Sequence, residues 1–203
     1  TPLNLHIFEE RYKLMIGRCI EANTPFGVVL IRNGSEVQGF GAAAEPYAVG
    51  CTARITQVEA LGGGRLNIVT VGQERFRIRL LVPGQSYLVG KTEPFALAVE
   101  HPERVRYLAR RLRGLVVRYV GMVAATDEAH YDFRQLPRDS ISLTYLASSL
   151  LNMPLEQKQE LLETASALDL VEQVYALYRR EVALVQTMLL PPQPATDSPF
   201  SLN

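Results

Sequence analysis

The segment of this chain that most resembles a phosphate-binding loop is residues 84–92, with the sequence GQSYLVGKT. A phosphate-binding loop of this type places four residues between its two glycines and opens a helix whose N-terminus holds the phosphates. Here five residues separate Gly84 from Gly90, and the segment continues into a Glu-Pro pair. We therefore predict a strand that contains a glycine, without a role in nucleotide binding.

Nucleophilic and metal-ligating residues are few and dispersed. A nucleophile needs a base and an orienting group placed around it, and no such combination is indicated around the lysines. The histidines and cysteines lack the paired spacing of a metal site. These residues are Lys13, Lys91 and Lys158, His6, His101 and His130, and Cys19 and Cys51. We predict no catalytic residues, no metal site and no cofactor.

Three arginines alternate with apolar residues in residues 75–82 (RFRIRLLV). If this segment is a strand, the alternation places Arg75, Arg77 and Arg79 on one face. Two interpretations are open. The row is either a solvated face paired with nearby glutamates, as most surface charges are, or a face that binds an anionic partner.

Composition limits the classes of partner. The 21 basic and 21 acidic residues cancel, whereas a dedicated nucleic-acid-binding protein usually carries a net basic face, so nucleic acid is not the expected partner. No apolar run approaches the roughly 20 residues that a membrane span needs. Two cysteines without a regular spacing fit a reducing compartment, and we expect a cytoplasmic protein.

The elements that would position these groups change character near residue 100. Before it, short runs rich in β-branched and aromatic residues are separated by glycines; after it come long stretches with helical periodicity. We predict an α+β protein with a β-rich subdomain at residues 1–99 and a helical subdomain at residues 100–190. Residues 191–203 are proline-rich and polar, which indicates a flexible tail.

Local patterns refine the β-rich part. Apolar residues at helical spacing predict an amphipathic helix that begins near Phe8. The apolar run FGVVLI, residues 26–31, predicts a strand buried on both faces. A slip in the alternation after Cys51 predicts a β-bulge at Thr56-Gln57. Further short strands are predicted at residues 66–71, 75–82 and 87–93, and so many short strands with tight turns favour a small barrel or a strongly curved sheet.

The helical part is punctuated by proline and polar residues. A helix is predicted to open at Pro102. Residues 124–137 are polar and predict a loop, after which Asp139 caps the next helix. The last helix is predicted to run from about Leu168 and to end before Pro191.

Four blocks of the sequence, in order, resemble the N-terminal substrate-binding domain of Lon proteases. The first two are residues 3–16 (LNLHIFEERYKLMI) and residues 26–34 (FGVVLIRNG). Residues 49–78 resemble the central motif of that family, and residues 142–163 end on its KQ-x-LLE pattern. Any one block is weak evidence, but the ordered set is specific and spans most of residues 1–190.

The resemblance implies a PUA-like β-barrel followed by a helical bundle with a long final helix. It also implies a non-catalytic module that binds unfolded or degron-bearing polypeptides and works with a protease or chaperone. The serine–lysine pair and the ATPase of Lon belong to domains that these residues do not match. The resemblance further suggests that the outward residues of the first helix, Glu9, Glu10 and Lys13, take part in peptide binding.

Two other functions remain open at this point. The PUA-like analogy extends the second interpretation of the Arg75, Arg77 and Arg79 row, whose anionic partner is then an acidic peptide or RNA. Alternatively, the chain is a fragment of a complete ATP-dependent Lon protease, which we expect less because its proline-rich end is typical of a natural terminus.

Overall fold

The structure, a computed structural model, describes residues 2–34, 44–127 and 136–189. Its strands are β1 (Pro2–Ile7), β2 (Phe26–Val28), β3 (Ile31–Asn33), β4 (Glu45–Pro46), β5 (Val49–Ala60), β6 (Leu66–Val82) and β7 (Val89–Pro94). Its α-helices are α1 (Glu10–Ala22), α2 (Pro102–Asp127), α3 (Ser140–Leu150), α4 (Leu155–Glu163) and α5 (Ala167–Leu189). The α+β class is confirmed, with the sheet first and the helices after it. The predicted tail, residues 191–203, lies outside the described residues.

The 17-residue strand β6 organises the main sheet. One edge of β6 pairs with β5, and the other pairs first with β1 and then with β7, all antiparallel. The order is β1-β6-β5-β2, and within the described residues no pairing joins β1 to β2 to close a barrel. The sequence predicted two strands, at residues 66–71 and 75–82, where the structure has one, because Gly72 still pairs with Ala53 and the pairing resumes, after a shift in register, at Arg75 with Cys51.

The register of the strand pairing confirms one prediction, and the length of β2 corrects another. The pairing of β5 with β6 shifts between Ile55 and Gln57, where the bulge was predicted. The predicted strand over residues 26–31 is wrong, because β2 is three residues long and only Phe26 is buried. β2 is the last strand in the sheet order, and Val28 is exposed there, whereas a Cβ added at Gly27 would lie 2.9 Å from the Phe76 ring.

Helix α1 covers one face of the sheet. Ile16, which has no exposed surface, packs into a small core with Ile7, Phe26, Ala53 and Ile68. The predicted start of the helix near Phe8 is two residues early, because Glu9 has an extended backbone and precedes the first turn. The apolar spacing therefore fixed the buried side of the helix but not its first residue.

The helices form a second, larger core. Helices α2 and α5 run in the same direction, since Arg104 pairs with Glu172 and the Tyr119 ring lies edge-on against Tyr178 further along both helices. Tyr178 is fully buried, and its hydroxyl donates to the Ala147 carbonyl in α3 at 3.0 Å. The predicted loop over residues 124–137 begins too early, because α2 continues to Asp127. The division at residues 99 and 100 stays a prediction.

Asp139 is the N-cap of α3, as predicted, and accepts a hydrogen bond from the Ser142 amide. Hydrogen bonding by the Ser142 hydroxyl first, and by the Ser142 amide second, lowers the pKa of the Asp139 carboxyl below its ordinary value of 3.8. We expect Asp139→Ala to lower the free energy of unfolding by about 1 kcal/mol at pH 7. A carboxyl with a lowered folded pKa stabilises fully above the unfolded pKa and less as pH falls through the folded value, so the deficit should shrink in acid. Urea denaturation at pH 7 and below pH 4 checks this, and an equal deficit at both would contradict it.

Candidate functional site

The arginine row of β6 begins in the interior. Arg75 is only 9% exposed, and its Nη1 donates to the carbonyls of Leu162 and Thr164, at 2.6 Å each. Carbonyls at the end of a helix such as α4 have no partner within the helix, and a cation there also suits the helix dipole. The guanidinium lies 4.6 Å from the centre of the Phe95 ring and 5.9 Å from that of Tyr145. Arg75 therefore joins the sheet to the helices.

A second set of contacts reinforces this junction. The buried side chain of Gln159 in α4 donates from Nε2 to the Val49 carbonyl in β5 at 3.0 Å. The Ala98 amide donates to the Ala165 carbonyl, and the Ala167 amide donates to the Ala98 carbonyl, both at 2.8 Å. Gln159 belongs to the KQ-x-LLE pattern of the sequence. Together with the Leu162 carbonyl that Arg75 contacts, two residues of that pattern therefore contact the sheet directly.

The other two arginines of the row have different surroundings. Arg77 is half-buried, with its guanidinium 4.3 Å from the centre of the Phe95 ring. Arg79 is exposed and forms an ion pair with Glu93 of β7. The three arginines therefore do not form a single solvated face. Only Arg79 has the environment expected of a surface charge. Binding of an anionic partner by Arg75, Arg77 and Arg79 stays a prediction.

The predicted peptide-binding residues lie at the start of α1. Glu9 pairs with Arg11 at 2.8 Å. Lys13 donates from Nζ to a Glu10 carboxylate oxygen at 2.8 Å and to the Gly63 carbonyl at 3.1 Å. Gly63 has a φ of 72°, in the region that favours glycine, within the turn between β5 and β6. The structure brings Glu10 and Lys13 together and attaches Lys13 to this turn; their role in binding stays a prediction.

The opposite side of α1 contacts the loop between β6 and β7. Arg18 donates from Nη1 to the Tyr87 hydroxyl at 2.8 Å. The face of α1 between Lys13 and Arg18 is turned to solvent and includes the exposed Leu14. This face therefore lies beside the end of the β6–β7 hairpin.

The end of the β6–β7 hairpin carries four exposed apolar side chains. We call Leu80, Leu81, Val82 and Leu88 the hairpin surface; Leu80 is 57% exposed and Leu88 is 52% exposed. Among the described strands β7 pairs only with β6, so its outer edge presents unpaired main-chain groups. Apolar side chains next to an open strand edge suit an extended polypeptide.

Sequence reasoning missed the hairpin surface, although a signal for it was present. Three consecutive apolar residues, Leu80 to Val82, stand directly before a Pro-Gly turn. Successive side chains of a strand point to opposite faces, so a run of this kind near a turn exposes apolar groups on at least one face unless both are covered. The register also shifts between Ile78 and Leu80, which ends the regular alternation of the arginine row.

Two other classes of feature are absent from the described ranges. Residues 2–34, 44–127 and 136–189 contain no group of three or more His, Cys, Asp or Glu side chains placed to hold a metal ion. None of the helices over those same ranges is both long and apolar enough to cross a membrane.

The sequence matches a known family over most of its length. The model for the ATP-dependent protease La (LON) substrate-binding domain aligns with residues 1–180. The chain belongs to this family. The resemblance inferred from the four sequence blocks is therefore confirmed, and the match is to the non-catalytic, substrate-binding part of the protease.

Known relatives agree with this membership. The Lon protease of Anaeromyxobacter dehalogenans is 24% identical over 180 residues, which cover 88% of this chain and 21% of the relative. The chain thus spans about a fifth of that protease. A Lon N-terminal domain protein from Xanthomonas campestris has a TM-score of 0.57 at 23% identity, covering 87% of this chain and 89% of that one. The N-terminal domain of Mycobacterium avium complex Lon protease gives 0.60 at 17%, with 90% coverage of both. These structures support the fold.

Proposed function

We propose that this chain recognises exposed segments of other polypeptides and serves as an adaptor for unfolded or degron-bearing proteins. The hairpin surface is the observation that carries the proposal. Membership of a substrate-binding family supports binding of protein substrates in general. A protease or chaperone is the natural recipient of such substrates, and both cysteines, which are free, fit the cytoplasm.

The mode of binding follows from the chemistry of the hairpin surface. An unfolded segment offers main-chain hydrogen-bonding groups and apolar side chains that alternate in direction. The outer edge of β7 can pair with the main chain, while Leu80 and Leu88 contact alternate side chains. The exposed Leu14 on α1 extends the apolar area, since the Arg18–Tyr87 hydrogen bond places the helix beside the hairpin loop.

Replacement of two leucines of the hairpin surface is expected to weaken binding selectively. We expect Leu80→Ser with Leu88→Ser to raise the Kd for an unfolded, aromatic-rich polypeptide about tenfold or more, because two apolar contacts are lost. Fluorescence anisotropy with a labelled, permanently unfolded polypeptide measures this. The stability of the double variant should change little, since both side chains are already largely solvated.

A matched control lies on the helices. Leu155 and Leu184 are 59% and 47% exposed, similar to the two hairpin leucines. Leu155→Ser with Leu184→Ser removes the same chemical groups from another part of the molecule and should leave the Kd unchanged. Equal weakening by both double variants, or no binding by the unaltered chain at high micromolar concentration, would count against recognition at the hairpin surface.

A further inference from the structure

Helix α2 carries an excess of positive charge that the rest of the described chain only partly balances. It contains six arginines. Arg104 pairs with Glu172 in α5, and Arg106 pairs with Glu103 one turn earlier. Arg113 donates to the Pro137 carbonyl. Arg110, Arg111 and Arg118 remain, all exposed and none with a carboxylate partner among the described residues.

Arg111 is held in place by aromatic rings rather than by an acid. Its guanidinium lies 5.7 Å from the centre of the Tyr107 ring and 5.6 Å from that of Tyr175, and its Nη1 donates to the Tyr107 hydroxyl at 3.1 Å. A guanidinium fixed in this way keeps donors free and has less rotamer freedom to lose on binding. It is therefore preorganised to donate hydrogen bonds to a carboxylate.

The three remaining arginines share one side of the helix. Arg110, Arg111 and Arg118 are all exposed, and an α-helix brings residues seven or eight apart back to the same side. We call Arg110, Arg111 and Arg118 the arginine face.

Apolar and small residues run along the middle of the exposed side of α2. Tyr107, Gly114 and Gly121 recur every seventh residue and lie on one line of the helix, with Arg110 on one side and Arg111 and Arg118 on the other. A Cβ added at Gly114 or Gly121 would meet no atom of the described residues within 4 Å, so packing among those residues does not require these glycines. Within the described part of the chain, they leave room above the helix.

We propose that the arginine face docks an amphipathic helical segment of a partner protein whose acidic residues flank an apolar line. The chemistry is complementary at each point. Carboxylates pair with guanidinium groups on both sides of α2, while apolar side chains contact Tyr107 and the open surface over Gly114 and Gly121. Arginines seven residues apart lie about 10.5 Å apart along the axis, as do acidic residues seven apart on a partner helix.

An acidic helix fits better than a nucleic acid. The chain as a whole has a formal net charge of zero, and a nucleic-acid surface generally needs a net basic field that extends beyond one helix. The arginine face is also separate in its residues from the hairpin surface. The two proposals can therefore fail independently.

The test uses the full chain and three probes. The first is a synthetic amphipathic helix of about 20 residues with glutamates beside its apolar line, long enough to form a helix in water. The second has lysines in place of those glutamates, and the third is single-stranded RNA. We expect only the acidic peptide to bind, with affinity that falls as salt rises. Arg110→Glu with Arg118→Glu should weaken it about tenfold or more, because attraction becomes repulsion at both positions.

The matched control is Arg54→Glu with Arg65→Glu, which makes the same change in net charge at two exposed residues of the β-rich part. It should leave the Kd for the acidic peptide within about twofold. Equal weakening by both double variants, or no binding of the acidic peptide, would overturn the proposal. Tighter binding of RNA than of the peptide, lost with Arg110 and Arg118, would overturn it in favour of a nucleic-acid surface. Circular dichroism and thermal melts establish that each variant is folded.

Discussion

Replacing Arg75 with alanine is expected to lower the free energy of unfolding by about 3 kcal/mol. The change removes the donor shared by the Leu162 and Thr164 carbonyls, which would then be left at a helix end without their charged partner. It also removes the contact of the guanidinium with Phe95. Urea denaturation followed by far-UV circular dichroism measures the effect, since the chain has no tryptophan to report it by fluorescence.

Two further variants separate the cause of that loss from a general effect of removing an arginine. Arg79→Ala, four residues along the same strand, breaks only an exposed ion pair with Glu93 and should cost no more than about 1 kcal/mol. Arg75→Lys keeps the charge but loses the planar donor group, and should fall between alanine and arginine. Similar stability of the Arg75→Ala and Arg79→Ala variants would show that the carbonyl contacts contribute little.

Alanine at Gly50 is the second change with a large expected effect. A Cβ there would lie 2.5 Å from Val29 Cγ1, 2.6 Å from the Val28 carbonyl oxygen and 2.7 Å from the tip of the Phe76 ring. A side chain can rotate away, but the Val28 carbonyl belongs to the backbone, so β2 and β5 would have to separate. We expect Gly50→Ala to lower the free energy of unfolding by about 3 kcal/mol.

The control for this change is Gly62→Ala in the turn between β5 and β6. Gly62 has no atom within 4 Å of an added Cβ, and its φ is not positive. Alanine there should leave stability unchanged or raise it by up to about 1 kcal/mol, because it reduces the freedom of the unfolded chain. The same urea titration compares the two variants. If Gly50→Ala is as stable as Gly62→Ala, the close approach of β2 to β5 is not a constraint on this position.

Features with local causes were predictable from the sequence. The bulge after Ile55 follows from a slip in the alternation, and the Asp139 cap follows from residue type and position. The class of fold followed from the change of pattern near residue 100. The length of β6 and the early end of β2 depend on which neighbour each strand finds, and periodicity does not carry that information.

The surroundings of the candidate site residues were harder to predict from the sequence. Arg75 alternates with Arg77 and Arg79 in sequence, yet its partners lie 87 and 89 residues away in the helical part. Alternation assigns a side chain to a face, and only tertiary packing decides whether that face is covered. The arginines of α2 illustrate the same limit, because their partners in α5 depend on how two distant helices pack.

The length of strand β6 affects how the protein would respond to mechanical force. Its 17 residues run without interruption from the core beneath α1, through Arg75, to the leucines at the hairpin end. Tension on the hairpin is therefore transmitted along one covalent backbone to the side chain that holds the end of α4. Because β5 pairs along much of β6, a pull parallel to these strands loads many hydrogen bonds in shear at once. Pulling the hairpin away from the sheet would instead break the pairs of β7 one after another.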